Sequence, residues 1–204
     1  MSAPAAGWLP AELPARWTDG DLTFVPLTPA LLRQDYAAVM RDIPMLRAWS
    51  GQDWPTADFA LEANLADLQR HDREQQERVA LTYSVLLDGV VQGCIYVQPF
   101  ADALRSRGVD PPAGAPSADV AVRGWLHDRP ADVLIAATLA FLGPPGFAFP
   151  RLWWQTNDHC PEQVAACTTL GLTDQVGVSP AHLRAGKAPT WLMCSRPGPG
   201  YMPR

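Results

Sequence analysis

The sequence has no run of Lys or Arg long enough to follow a phosphate backbone, and its formal net charge of −5 sets 21 acidic residues against 16 basic ones. That balance argues against a nucleic-acid partner. Residues 1–20 lack a basic segment leading into an apolar run, and the longest apolar stretch, residues 133–142, falls far short of the ~20 residues a bilayer span needs. No membrane partner is expected, and a cytoplasmic location is. Cysteine is sparse. Cys94, Cys160, Cys167 and Cys194 show neither the short paired spacings of a zinc site nor the density of a disulfide scaffold, so reduced thiols and no metal are expected. Lys187 is the only lysine, and nothing functional is read from that.

Apolar and aromatic matter is plentiful. Hydrophobic residues make up 48% of 204, eight of them Trp, which is enough to build one core. Proline and glycine punctuate the rest. Residues 1–20 and 196–204 are rich in both, lack periodicity and read as tails, leaving a domain over 21–195. A third such stretch, residues 101–117, contains Asp110-Pro111-Pro112-Ala113-Gly114-Ala115-Pro116 and is expected to be an internal loop.

Between these breaks the pattern alternates. Residues 22–27 read as a strand, followed by Thr28-Pro29 as N-cap and first-turn proline of a helix to about Met40. Residues 57–77 place Leu61, Leu65 and Leu68 at helical spacing; His71 falls in their charged later turns and is expected to be solvated. Residues 80–88 and 90–100 are β-rich runs joined at Asp88-Gly89, which supplies the positive φ angles of a tight hairpin. Then come a strand over 118–126, a helix over 131–142, a strand over 151–157, a helix over 161–170 ending at Gly171, and strands over 172–178 and 190–195.

This order resembles the GNAT superfamily of acyl-CoA-dependent N-acyltransferases. Small markers agree: Asp88-Gly89 at the turn between family strands two and three, Gly124-Trp125-Leu126 ending strand four, Asn157 after strand five, and Leu170-Gly171-Leu172 ending helix four. The resemblance implies an α+β fold with a mixed, mostly antiparallel, splayed sheet of about seven strands flanked by about four helices. It implies acetyl-CoA or another acyl-CoA as co-substrate and an amine of a small molecule as acceptor, and it makes Trp125, Leu126, Arg129, Ala131 and Asn157 the cofactor-binding candidates. Where the family carries glycines that let backbone N–H groups reach a pyrophosphate, this chain reads His127-Asp128-Arg129-Pro130-Ala131-Asp132. Pro130 removes a donor, Asp128 and Asp132 bring negative charge, and Arg129 compensates in part. Ala121 stands at the family's Glu position and Cys167 at its Tyr position, so the usual general base and acid are absent.

The residues carry a reading of their own. Strand alternation puts Asp119, Ala121, Arg123 and Trp125 on one face, with Thr82, Ser84, Gln92, Cys94, Tyr96 and Gln98 making a polar face on the hairpin and Val91 on the opposite side. Either that face floors a substrate cleft, or it is open to water or satisfied beneath helices. On the first reading Arg123 binds a carboxylate or phosphate, Asp119 holds an amine, and Tyr96 and Trp54 complete the substrate set. Trp49 and Trp54, bracketing residues 50–53, form a lid or a hydrophobic plug. Asp119 and Cys167 are the catalytic candidates. His159, Cys160 and Cys167 lack a fourth ligand for a metal. An alternative to the transferase is a catalytically impaired GNAT-fold protein that binds or senses CoA. A homodimer through the sheet edges is compatible with the sequence.

Overall fold

The computed structural model describes residues 8–112, 115–144, 146–178 and 190–196. In chain order the elements are β1 (Trp17–Asp19), β2 (Leu22–Pro26), a 3₁₀ turn (Pro29–Leu31), α1 (Leu32–Arg41), α2 (Ile43–Ser50), α3 (Leu61–Gln76), β3 (Leu81–Leu87), β4 (Val90–Pro99), α4 (Phe100–Arg105), β5 (Val120–Leu126), α5 (Ala131–Leu142), β6 (Leu152–Asn157), α6 (Pro161–Thr169), β7 (Asp174–Val178) and β8 (Trp191–Ser195). The strands form one mixed sheet of eight, ordered β1-β2-β3-β4-β5-β6-β8-β7. The expected α+β architecture holds, with β1, α2 and α4 in addition. Among the described residues no helix is long and apolar enough to cross a membrane. The chain folds as two compact units, the first running to Val97 and including Gly124–Arg129, the second built from Gln98–Arg123 and the chain from Pro130 onward.

In the first unit β1 to β4 are antiparallel neighbours. Asp88 (φ 51°) and Gly89 (φ 79°) turn the chain between β3 and β4, as the dipeptide predicts. The register then shifts: Val85 pairs with Gly93 but Leu86 pairs with Val91, leaving Gln92 as a bulge. The bulge moves Val91 onto the face of Ser84 and Cys94, against the simple alternation expected for β4. Gly93 is required at this point, because a Cβ there would lie 2.2 Å from the Trp125 carbonyl oxygen. All of β3 is buried, so its polar face is covered rather than wet. Trp49 of α2 and His71 of α3 lie over Tyr96, at 5.5 and 5.3 Å between ring centroids. His71 is therefore not solvated; its side chain is 13% exposed, and Nδ1 is 3.1 Å from Thr82 Oγ1.

α2 went unread although its caps are explicit. Asp42 accepts from the Met45 N–H at 3.0 Å, and Gly51 (φ 66°) ends the helix. At the N-terminus, Trp8 is buried and donates from Nε1 to the Arg78 carbonyl at 3.0 Å, inside the stretch expected as a tail. The C-terminal tail lies outside the described residues, apart from Arg196.

In the second unit β5 pairs in parallel with β6, and β6 and β7 each pair antiparallel with β8. α4 occupies the start of the expected Pro-rich loop. It forms because Phe100, Ala103 and Leu104 bury against Ala121, Trp153, Trp191 and Met193. Phe100 stacks on Trp153 at 4.6 Å. The opposite face of β6 meets α6, where Trp154 donates from Nε1 to Gln163 Oε1 at 3.1 Å. Gly171 (φ 73°) closes α6, with the Leu172 N–H returning to the Cys167 carbonyl at 2.8 Å.

Candidate functional site

The end of β5 and the loop after it belong to the first unit. Trp125 is fully buried, 5.3 Å from the His127 ring, and its indole N–H has no partner among the described residues. His127 donates its backbone N–H to Gln92, and its Nε2 lies 2.9 Å from the Ala38 carbonyl, which fixes the proton on Nε2. Leu126 is half-buried beside it. Asp128 adopts φ 59° and receives both Nη atoms of Arg41, at 2.6 and 2.7 Å. That bidentate bond holds the Asp128 carboxyl below its usual range. Arg129 donates to the Asp128 carbonyl at 2.8 Å and to Asp21 Oδ2 at 2.5 Å. Each charge of the loop thus has an opposite charge beside it, and Arg129 is already engaged.

The same unit holds Trp54 and Tyr96. Trp54 packs edge-on to Phe59 at 6.0 Å and lies 6.4 Å from Trp49. Ser50 knots this connection by donating to carbonyls of the turn, Trp54 among them at 3.1 Å. Trp49, buried, is the plug; Trp54 stays half-exposed beside it.

The second unit holds the remaining candidates. Pro130 is the N-cap of α5 with no side-chain cap, Ala131 is the first helical residue, and Asp132 lies in the first turn. Asp119 is buried and accepts from Trp153 Nε1 at 3.2 Å; burial pushes its carboxyl above the usual range, partly offset by that bond. Ala121 and Arg123 follow on the same face of β5, Arg123 half-buried. Asn157 is buried and accepts from the His159 N–H at 2.8 Å, so its side chain braces the turn into α6. Cys167 is buried within the core; its hydrogen bond with Cys194, together with burial, keeps its thiol above the ordinary range. Cys160 is also buried, and its thiol is pushed up to about 12. Among the described residues no group of three or more His, Cys, Asp or Glu is placed to hold a metal ion.

β5 and β6 pair only as Val120↔Leu152, Ala121↔Trp153 and Val122↔Trp154, although the strands run to seven and six residues. Sequence reasoning missed Gln155 and Arg107, which meet just past this register. Arg107 lies in the stretch taken for a loop, and only the unexpected α4 brings it onto the sheet.

A mixed sheet in this order, with helices at these places, is the GNAT acetyltransferase fold. Among solved structures the chain is similar to RimL, a ribosomal L7/L12 alpha-N-protein acetyltransferase, with TM-score 0.65 at 13% identity over 90% of this chain and 92% of that one. It is similar to ribosomal-protein-S5-alanine acetyltransferase from Vibrio fischeri, with TM-score 0.63 at 11% identity over 92% and 99%. It is also similar to the microcin C7 self-immunity acetyltransferase MccE in complex with acetyl-CoA and AMP, with TM-score 0.64 at 11% identity over 87% and 93%. No protein-family model matches the sequence, and no curated protein matches it at a significant level.

Proposed function

We propose that this chain is an N-acyltransferase that moves an acetyl group from acetyl-CoA to an amine. The observation that carries the reading is the parallel β5–β6 register stopping after Val122↔Trp154 in a chain of GNAT fold. That place in the order is where the family receives the pantetheine arm. MccE, similar over 87% of this chain, holds acetyl-CoA. In this reading the N–H groups of the first turn of α5, at Ala131 and Asp132, face the pyrophosphate. Asn157, in the same unit, shapes its surroundings. Pro130 contributes no donor and Asp132 is repulsive, so affinity is weak. Within the second unit Arg123 binds the acceptor, and Asp119 holds its amine. Attack on the thioester then rests on positioning rather than on a dedicated base.

A second reading, a protein that binds CoA without turnover, is favoured by one observation. Cys167, at the family's acid position, is buried and hydrogen-bonded to the free thiol of Cys194, and Ala121 has no proton to handle. Calorimetric titration with acetyl-CoA and CoA, followed by assay of free thiol across an amine library, tests both. Heat with thiol release supports the transferase, and heat without it supports the sensor. No heat at millimolar ligand removes both.

A further inference from the structure

One face of the second unit's sheet carries Asp119, Ala121 and Arg123 beside Trp153 and Gln155, with Met193 and Trp191 beyond, as the pairs Ala121↔Trp153 and Gln155↔Met193 require. α4 covers the near part of this face. Just past α4, Arg107 lies over the Trp191 ring, its Cζ 3.5 Å from the ring centroid. With the Gln155 amide oxygen turned toward it, Arg107 donates from Nε and Nη2 at 3.0 and 2.9 Å. Stacking and this fork fix the guanidinium and leave its Nη1 edge to point elsewhere. Arg123 follows Val122, the last β5 residue in register with β6, and so leaves the sheet on this same face, level with Gln155.

Among the described residues Arg107 has no carboxylate partner. All 21 acidic residues of the chain fall within the described segments, and none forms an ion pair with it. Its nearest charged influence is a second cation. Burial, and then Arg123, bring its guanidinium down to about 10. Buried cations are ordinarily paired, because desolvation without a counter-charge is costly. Here a half-buried guanidinium is held between an indole and the Gln155 amide, beside a like charge, where the two strands leave register.

We infer that Arg107 and Arg123 form an oxyanion clamp, braced by Trp191 and Gln155, that receives a phosphate or carboxylate group carried by the acceptor amine. α6 packs on the opposite face of β6, through Trp154, so the clamp lies on the side away from that helix. The acceptor class is thus an anionic amine. This inference rests on the transferase reading for the word acceptor, and on the geometry alone for the word oxyanion.

The test uses the full chain and two readouts. In the first, thermal unfolding is followed in inorganic phosphate and in chloride at matched ionic strength, for wild type, Arg107→Gln, Arg123→Gln and Arg33→Gln, the last an exposed residue of α1. Phosphate at about ten times its dissociation constant raises the wild-type Tm by about 3 °C. The rise persists in Arg33→Gln and is lost in the two clamp variants, whose affinity falls at least about tenfold. If Arg107→Gln is itself unstable, Arg107→Met, which keeps the contact with Trp191, replaces it. An equal phosphate shift in wild type and Arg107→Gln overturns the clamp, as does no shift in wild type. The second readout is thiol release from acetyl-CoA with O-phosphoethanolamine, β-alanine or ethylamine. Preference for the charged amines, lost in Arg107→Gln, is expected. Turnover of ethylamine alone overturns the inference and leaves the transferase standing; phosphate binding without any turnover overturns the transferase and leaves the oxyanion clamp.

Discussion

Asp119 is 4% exposed, and its carboxyl accepts a hydrogen bond from Trp153 Nε1. Its carboxyl is raised, mainly by burial, so the folded protein holds this proton at a pH where the unfolded chain has released it. The stability it costs therefore grows as pH climbs from the unfolded value through the raised folded one, and is absent below both. Asp119→Asn keeps an acceptor for the indole and removes the charge. Thermal unfolding is expected to show a higher Tm than wild type at neutral pH, with the difference closing in acid. Asp35 offers a contrast of partners. Buried in α1, it accepts from Asn64 Nδ2 of α3 at 2.8 Å, and its carboxyl is likewise raised by desolvation. Asn64→Ala removes that donor and leaves a buried acid alone. A loss of about 1.5–3 kcal/mol in denaturant titration is expected, with less lost at low pH, where the acid is neutral.

Among elements, the hairpin and α5 were legible because their signals are local: Asp88-Gly89 dictates a turn, and residues 131–142 are apolar apart from Asp132 and Thr138 and became a helix with those bounds. α4 was not legible. Its six residues carry no cap, follow Pro99 and stand beside a Pro-rich run; only burial of Phe100, Ala103 and Leu104 makes them helical. The bulge at Gln92 was equally hidden, since a register shift depends on the partner strand. Gly93 gives that register a sharp test. Gly93→Ala places a methyl 2.2 Å from the Trp125 carbonyl and 2.9 Å from Leu126 Cα, both backbone atoms that cannot swing away. Denaturant unfolding is expected to show a loss of at least about 2 kcal/mol. The loop before α5 gives another. The exposed Arg41–Asp128 pair contributes little to stability, but it cancels the Asp128 charge. Arg41→Ala should leave Tm nearly unchanged and weaken acetyl-CoA binding a few-fold by calorimetry, with Asp128→Asn restoring it and high salt masking both effects.

At the scale of the whole molecule, order and spacing were enough to reach the GNAT fold, because an order of strands and helices does not depend on any catalytic side chain. The site was less legible, because Arg107, Gln155 and Trp191 converge only after folding. In the proposed transferase, proton handling decides the pH dependence. With Ala121 at the position where the family's base is expected, the nucleophile arrives as neutral amine. For a primary amine of pKa about 10, the neutral fraction rises tenfold per pH unit across the neutral range. The rate of thiol release at low acceptor concentration should therefore climb with unit logarithmic slope from about pH 6 to about pH 9, without a plateau of the enzyme's own. Asp119 is the residue able to break this rule, since its raised carboxyl lies on the face of Ala121 and Arg123. A plateau that vanishes in Asp119→Asn would assign the proton to Asp119 and replace positioning with general-base catalysis. An unbroken slope in both proteins is the expected result.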